Sequence, residues 1–437
     1  MLSKTPQFDK ALDEILEKLK PHQKTCQQCQ SVFDIFSEDI EFYKMLRVPE
    51  PKLCPECRKQ RRFGFYNNIL KFYKKEDFET KEKIISTFPS ESPYKIYNIK
   101  YWWSDKWGAE DYERDYDFSR LFFEQFQKLN LDVPHPAITH YLKGVIDSPY
   151  TISILYSKNC YLATLCSCLE NVHYSSWSGF CKDSMELDNV TKSQICSELI
   201  SCNNCYNCHF CQECRQCIDS YFLYSCKNCQ NCFGCTNLRH KSYCFFNEQF
   251  SKEEYLEKIK TINLGNREIL EEYKEKFEEL FKNTFRQNLN NGRQNLNCLG
   301  DQLYGAKNCF QVFRAVKGVE NVRYSTDMAL GIKDGMDLYI ACPKVSLGYE
   351  LIEIVESNNI KFSFFGHNNL EIEYCIGCYN CQNCFGCVGL RNKSCYIFNK
   401  QYLKEKYYKF LDKIKTKMLK DKEYGEFFFF ISKFTSL

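Results

Sequence analysis

Between residues 6 and 20, PQFDKALDEILEKLK, the apolar residues Ala11, Leu12, Ile15, Leu16 and Leu19 share one stripe and the charges lie opposite. That spacing predicts an amphipathic helix, so residues 1–21 are read as an N-terminal helical segment. Further along, Phe118, Leu121, Phe122, Phe126 and Leu129 repeat the helical pattern, and Asp117 stands where a helix cap is expected. This helix falls in an aromatic-rich α+β stretch, residues 71–149, which ends in the proline-set linker VPHPAITH containing His135 and His140.

From about residue 150 the pattern is neither helical nor simply alternating. NCYNCHFCQECRQC (204–217) places a cysteine at every third position. The NC pairs ending at Cys160, Cys205 and Cys229, with FC at Cys181, suggest turns in steps of 21 and 24 residues. Asn, the non-glycine residue most at ease in left-handed turns, repeatedly precedes the small apolar residue. Short strands stacked through Asn turns describe a parallel β-helix.

The whole module occurs twice. NCQNCFGCTNLRHKSYCFFNEQF (228–250) recurs as NCQNCFGCVGLRNKSCYIFNKQY (380–402), ENVHY at 170 as ENVRY at 320, KDSMEL at 182 as KDGMDL at 333, and SELI at 197 as YELI at 349. Module 1 is placed at 150–250 and module 2 at 298–402. Each is followed by a helical stretch, 251–297 with a capping box on Ser251 and Glu254, and 403–437 at the C-terminal end. One copy tests the other, because a metal ligand cannot become a hydrocarbon. Cys181 is matched by Ile332 and Cys202 by Ile354, so most repeat cysteines read as core residues, since free Cys packs as a small hydrophobe. The final blocks, Cys226, Cys229, Cys232, Cys235 and Cys378, Cys381, Cys384, Cys387, are kept in both copies and form a candidate second metal site.

Composition narrows the chemistry. The net charge of +3 over 437 residues gives no global field for nucleic acid or membrane, so any such function must rest on a local patch. Neither the N-terminal segment nor the FFFFI run at 427–431 is long and apolar enough to span a bilayer, and no export leader is visible. A cytoplasmic, reducing setting is therefore expected, where 29 cysteines, an odd number, serve as thiols or thiolates.

Two CxxC pairs, Cys26 with Cys29 and Cys54 with Cys57, have the spacing of a closed tetrahedral zinc site, predicting a zinc ribbon over 22–70. Directly after it, Arg58, Lys59, Arg61 and Arg62 with the rings of Phe63 and Phe65 combine charge for phosphates with surfaces for base stacking. GxGxxG, GxxxxGK[ST], HExxH and GxSxG are all absent.

The series CQQC, FYKMLRVPEPKLCPECRKQRR, YWWSDKW, DYDFSRLFFEQF, KNCYL and the paired NCFGC blocks resembles a family of bacterial proteins common in small-genome candidate phyla, over residues 22 to about 412. Its members often carry the CoA-transferase label CaiB/BaiF, for which this sequence shows no supporting residues. The resemblance implies a zinc ribbon with Cys-rich repeats and no particular activity; where it implies a further Cys set, this chain has Asp77 and Asn98. The reading is thus a mainly β chain: an N-terminal zinc ribbon, then two tandem parallel β-helix-like solenoid modules with helical linkers. Its expected role is a non-enzymatic zinc-binding scaffold for a protein partner. The alternatives are RNA, DNA or ribosome binding through the basic patch, and metal storage or redox chemistry on the repeat cysteines.

Overall fold

A left-handed residue at every third position governs the repeats. Between Asn159 and Asn231, φ near +50° recurs at Asn159, Leu162, Leu165, Cys168, Asn171 and onward in the same step. The residue after each turns inward: Cys160, Ala163, Cys166, Leu169 and Val172 are all buried. Four such triplets make one repeat, since each strand pairs in parallel with the strand twelve residues on, as in Tyr161↔His173, His173↔Met185, Ser197↔His209 and Tyr221↔Phe233. The turn steps of 21 and 24 residues expected from the sequence give way to this step of 12, because Leu, Tyr, Trp and Phe take the left-handed turns as often as Asn does.

The computed structural model describes residues 3–66, 71–138, 144–285, 292, 294–315, 318–328, 331–341 and 344–427, without the side chains of residues 65, 66, 327, 328, 340 and 341. His140 and the residues after Phe427 lie outside it. The protein is mainly β, with long sheets of parallel strands. It divides into two units, Met1–Ala137 with Asn288–Leu437, and Ile138–Gln287.

In the first unit, α1 (Pro6–Leu16) buries Phe8, Leu12 and Leu16 and leaves Ile15 exposed. The hairpin β1 (His22–Thr25) and β2 (Val32–Ile35) leads into α2 (Ser37–Leu46) and α3 (Pro55–Tyr66). A second hairpin, β3 (Tyr73–Glu76) with β4 (Lys83–Ser86), is closed by Asp77, whose carboxylate accepts from the amides of Glu79, Thr80 and Asn98. Hydrogen bonds thereby hold a turn where the resemblance implied further cysteines. After β5 (Ile96–Tyr97) and α4 (Ile99–Trp102) comes α5 (Phe122–Asp132), which begins later than the sequence suggested. Asp117 folds back on Ser119, and the Glu423 carboxylate instead caps α5, accepting from the amides of Phe122 and Phe123 at 2.8 and 3.1 Å.

In the first unit β6 (His135–Pro136) pairs in parallel with β5, and in the second unit strands β7 (Tyr161–Thr164) to β14 (Ser242–Phe245) form a parallel ladder in chain order. A two-residue strand, β15 (Glu248–Gln249), folds back antiparallel on β14 and ends it. The inward residues from Cys160 to Cys235 are Cys, Ser, Ala, Val or Leu, none larger. Nearly all the polar ones donate to the carbonyl two residues before. Cys202 Sγ donates toward the carbonyls of Ile200 and Cys211 at 3.4 Å, while Ser184 Oγ donates to Lys182 O at 2.8 Å and accepts from Cys196 N at 3.1 Å. A thiol here is a small hydrophobe with a weak donor, which is why Ser replaces it freely. Helices α6 (Lys252–Lys260) and α7 (Arg267–Lys282) cover the aromatic rows of the later strands, and the capping box of Ser251 with Glu254 starts α6 as expected.

The first unit contains the second ladder, β16 (Leu296–Leu303) to β26 (Ser394–Ile397), ended by the folded-back β27 (Lys400–Gln401). Here β17 (Lys307–Ala315), β18 (Glu320–Met328), β19 (Lys333–Ala341) and β20 (Ser346–Val355) pair in steps of thirteen, as in Glu320↔Lys333 and Lys333↔Ser346, and later strands in steps of twelve. Ile332 and Ile354 are buried, as Cys181 and Cys202 are in the first copy. α3 lies across β18, β19 and β20.

The last helix, α8 (Lys404–Lys420), holds this unit through charge. Its Asp412 carboxylate accepts from Phe8 N at 2.8 Å, capping α1, and its Lys415 Nζ donates to Glu373 at 3.0 Å. Glu373 also takes Lys361 at 3.2 Å and the Tyr424 hydroxyl at 3.0 Å. Burial alone would raise this carboxyl, but the ammonium groups of Lys361 and Lys415 hold it at about 2. Between an ordinary value near 4.5 and that one, the unfolded chain binds the extra proton. The pH-dependent contribution of this carboxyl, on the order of 3 kcal/mol, is therefore complete above about pH 4.5 and drains away as the pH falls toward 2. Urea denaturation at pH 6, 4 and 3 should show this loss, and Glu373→Gln, already weakened at pH 6, should lack that part of the slope.

Candidate metal centre

The β1–β2 turn and the start of α3 bring four sulfurs together. Cys26 and Cys29 sit in the turn, which Cys26 N→Ser31 O at 2.9 Å and the left-handed Gln30 hold closed. Cys54 precedes α3 and Cys57 lies in its first turn, where Arg58 N→Cys54 O at 3.0 Å begins the helical bonding. The Sγ atoms of Cys26, Cys29, Cys54 and Cys57 all lie within 4.8 Å of one another, the one group of three or more such ligands found among the described residues. Cys29 Sγ and Cys54 Sγ are 3.8 Å apart, matching the edge of about 3.8 Å in a tetrahedron with metal–sulfur bonds of about 2.3 Å. Cys26, Cys54 and Cys57 are buried and Cys29 is exposed.

The electrostatics favour thiolate at Cys26 and Cys29, while burial pushes Cys54 and Cys57 upward. Cys54 N points at Cys26 Sγ from 3.3 Å and Cys57 N at Cys54 Sγ from 3.4 Å. Burial opposes ionisation of Cys26, yet the amides of Cys29, Cys54 and Gln28 bring it down to about 6. His22 is turned away to Glu50, at 3.3 Å. The donor set thus fits one ion held by sulfur alone. The second pair, however, opens a helix and not a second hairpin, and the stretch between the pairs is β2 followed by α2, so the ribbon expected over 22–70 is a hairpin joined to a helix.

Most of the basic run after the site is turned inward onto carboxylates. Arg58 and Arg62 are 1% and 2% exposed. Arg58 Nε donates to Asp337 at 2.6 Å, Arg62 Nη2 to the other oxygen of Asp337 at 3.0 Å, and Arg61 Nη2 to Glu350 at 2.6 and 2.8 Å. Lys59 lies over the rings of Phe63 and Phe313, and Phe63 packs edge-on against Tyr339 at 4.7 Å. The Phe65 side chain lies outside the described residues. Three of the four basic residues expected to meet phosphates therefore have carboxylate partners already. Those partners stand nearly 300 positions later, in the KDGMDL and YELI segments, whose sequence pattern shows repeat similarity and gives no sign of a counter-charge. Nor does any local pattern mark Arg391, which donates to the carbonyls of Trp102, Ser104 and Trp107 and lies over both indole rings.

The second candidate metal site is placed differently. Cys226, Cys229, Cys232, Cys235 and Cys378, Cys381, Cys384, Cys387 are buried along their ladders, with sulfurs facing backbone carbonyls. Cys226 Sγ lies 3.5 Å from Tyr224 O and 3.6 Å from Cys235 O, and Cys387 Sγ lies 3.4 Å from Phe385 O and 3.5 Å from Tyr396 O. A carbonyl accepts from a thiol and repels a thiolate. Within the blocks the thiols shift one another in opposite directions: side-chain bonds from adjacent cysteines draw Cys229 and Cys381 down, whereas burial pushes Cys378 up.

No family model matches the chain, and no curated protein matches it. Among solved structures it is similar to a candidate acetyltransferase from Desulfovibrio desulfuricans G20, at 10% identity, over 65% of this chain and 81% of that one, with a TM-score of 0.13. A likeness at that score carries no argument about fold or chemistry.

The Arg58–Asp337–Arg62 arrangement yields a direct expectation. Asp337→Asn leaves two buried guanidinium groups short of a counter-charge and should cost about 3–5 kcal/mol in urea unfolding, whereas Glu56→Gln, on the exposed side of the same helix, should change stability by less than about 0.5 kcal/mol.

Proposed function

We propose that the protein is a non-enzymatic scaffold in which one structural zinc ion, held by Cys26, Cys29, Cys54 and Cys57, fixes α3 against the second ladder. The observation that carries the reading is the closed four-sulfur set. Catalytic zinc keeps a position open for water or substrate, and four protein ligands leave none. All-sulfur tetrahedral sites suit zinc among common ions. Zinc would contribute no step of chemistry here; when bound it would join the hairpin to the helix N-terminus, and the arginines one turn further would carry that constraint into the sheet.

On the same reading, each ladder is a parallel β-helix with three-residue sides. The pairing step of twelve, the left-handed residue at every third position and the inward residue after it support that description. The resemblance to the candidate-phylum family belongs to this proposal too, and adds no activity. The repeat thiols are read as core, because their sulfurs meet carbonyls. None of the described cysteines forms a disulfide, and no helix among the described residues is long and apolar enough to cross a membrane.

Elemental analysis of anaerobically purified protein tests this. About one zinc per chain is expected, falling toward zero in the Cys26→Ser, Cys57→Ser double variant, whose first 70 residues should become sensitive to protease. Several metal ions per chain, or unchanged zinc in the double variant, would overturn the assignment.

A further inference from the structure

The two copies share a set of outward residues that α3 covers in one of them. In the second copy, α3 docks onto Tyr324, Asp337 and Glu350, and Met336 is buried beside them. The pairing registers place Tyr324 beside Asp337 and Asp337 beside Glu350 on neighbouring strands, with Met336 one residue before Asp337. All four are buried. The carboxylates take Arg58, Arg61 and Arg62, and Tyr324 lies 5.5 Å under the Arg58 guanidinium. In the first copy the same positions, by segment and by register, are Tyr174, Met185, Glu186 and Glu198. The chemistry is retained at each one: a phenol ring, a thioether and two carboxylates.

Their environment differs. Tyr174 is 49% and Met185 43% exposed, against 7% and 0% for Tyr324 and Met336. Glu186 has no ion pair among the described residues, and Glu198 has only Lys274, at 4.0 Å. Two adjacent carboxylates that meet three guanidinium groups in one copy meet a single distant ammonium in the other. Burial and the neighbouring Glu186 together push Glu198 upward. The face also continues an occupied one. On later strands of the same ladder, Phe210, Phe222 and Phe233 lie under α6 and α7. The cover stops where Tyr174, Met185 and Glu186 begin.

We propose that the face of the first copy formed by Tyr174, Met185, Glu186 and Glu198 binds an α-helix of a partner protein that presents arginines about one turn apart, in the manner in which α3 occupies the second copy. Arginine is the cation that fits, because its planar fork pairs with carboxylates in two-point contacts and lies flat on a phenol ring. The strip of Met and Tyr beside the carboxylates supplies the apolar contact that a helix docked on a surface needs. An acidic face of this kind excludes nucleic acid as the occupant.

The probe is a fluorescent peptide of residues 53–66 with Cys54→Ser and Cys57→Ser, stapled to stay helical and titrated into the full-length protein by anisotropy. Saturable binding is expected, weakened at least about tenfold by Glu186→Gln with Glu198→Gln, and lost when the peptide arginines at 58, 61 and 62 become glutamine. Both glutamates are exposed, so the double variant should keep the parent's melting temperature. No binding to the parent, or binding unchanged in the double variant, would overturn the proposal. Sedimentation of the protein alone provides the second reading. A dimer that dissociates in the double variant would assign the face to a second copy of this chain and overturn the partner helix.

Discussion

A chain that turns a corner every three residues has almost no room inside, and that constraint determines both the residues of the core and the faces left to be covered. Each corner needs a left-handed residue, which costs L-residues other than Gly and Asn on the order of 1 kcal/mol. Residues as unsuited as Leu162, Leu165, Trp177 and Phe180 nevertheless adopt it. Only the regular ladder bonds and the filled interior can offset such a repeated cost. A narrow interior admits Cys, Ser, Ala, Val, Leu and Ile. Among these, the thiol is both apolar enough to replace a hydrocarbon and able to satisfy a carbonyl. The cysteine content, which first suggests metal throughout, is a product of that geometry.

The ladder leaves outward faces that must be covered or solvated, and in the first unit the covering is done by charge as much as by apolar contact. Asp337 and Glu350 receive α3, Asp412 caps α1, Glu423 caps α5, and Glu373 holds Lys415 of α8. Every one of these contacts joins segments far apart in the chain. The four sulfurs stand just before this network, where the hairpin meets the same helix that carries the arginines. The sulfur cluster and the ion pairs thus follow one another along α3, from the hairpin to the sheet.

How much of the fold and the site is legible in the sequence depends on the range of the signal. The four ligands are readable because CxxC spacing is local, and the core role of the repeat cysteines because Cys181 and Cys202 are answered by Ile332 and Ile354. The pairing step is not, since Asn marks only some corners and large residues hold the others. The second CxxC suggests a ribbon, yet Pro55 followed by a helix-compatible stretch opens α3. The basic run looks like a phosphate site because its counter-charges lie in another part of the chain. Asp117 looks like a cap for the same reason, with the true cap, Glu423, about 300 residues away.

Both ladders end in a two-residue strand turned back against the last parallel one, β15 on β14 and β27 on β26. A stack of parallel strands in register exposes at its end a row of free amides and carbonyls, the template on which amyloid-like fibres grow by adding chain after chain. The reversal lays a strand of opposite direction over that row. In both copies an asparagine at the bend reinforces it, Asn247 accepting from Thr236 N and Asn399 from Val388 N, each at 2.9 Å. At these two ends, the fold that most resembles a fibril in its repeating geometry carries its own termination signal, written in a few residues of each copy.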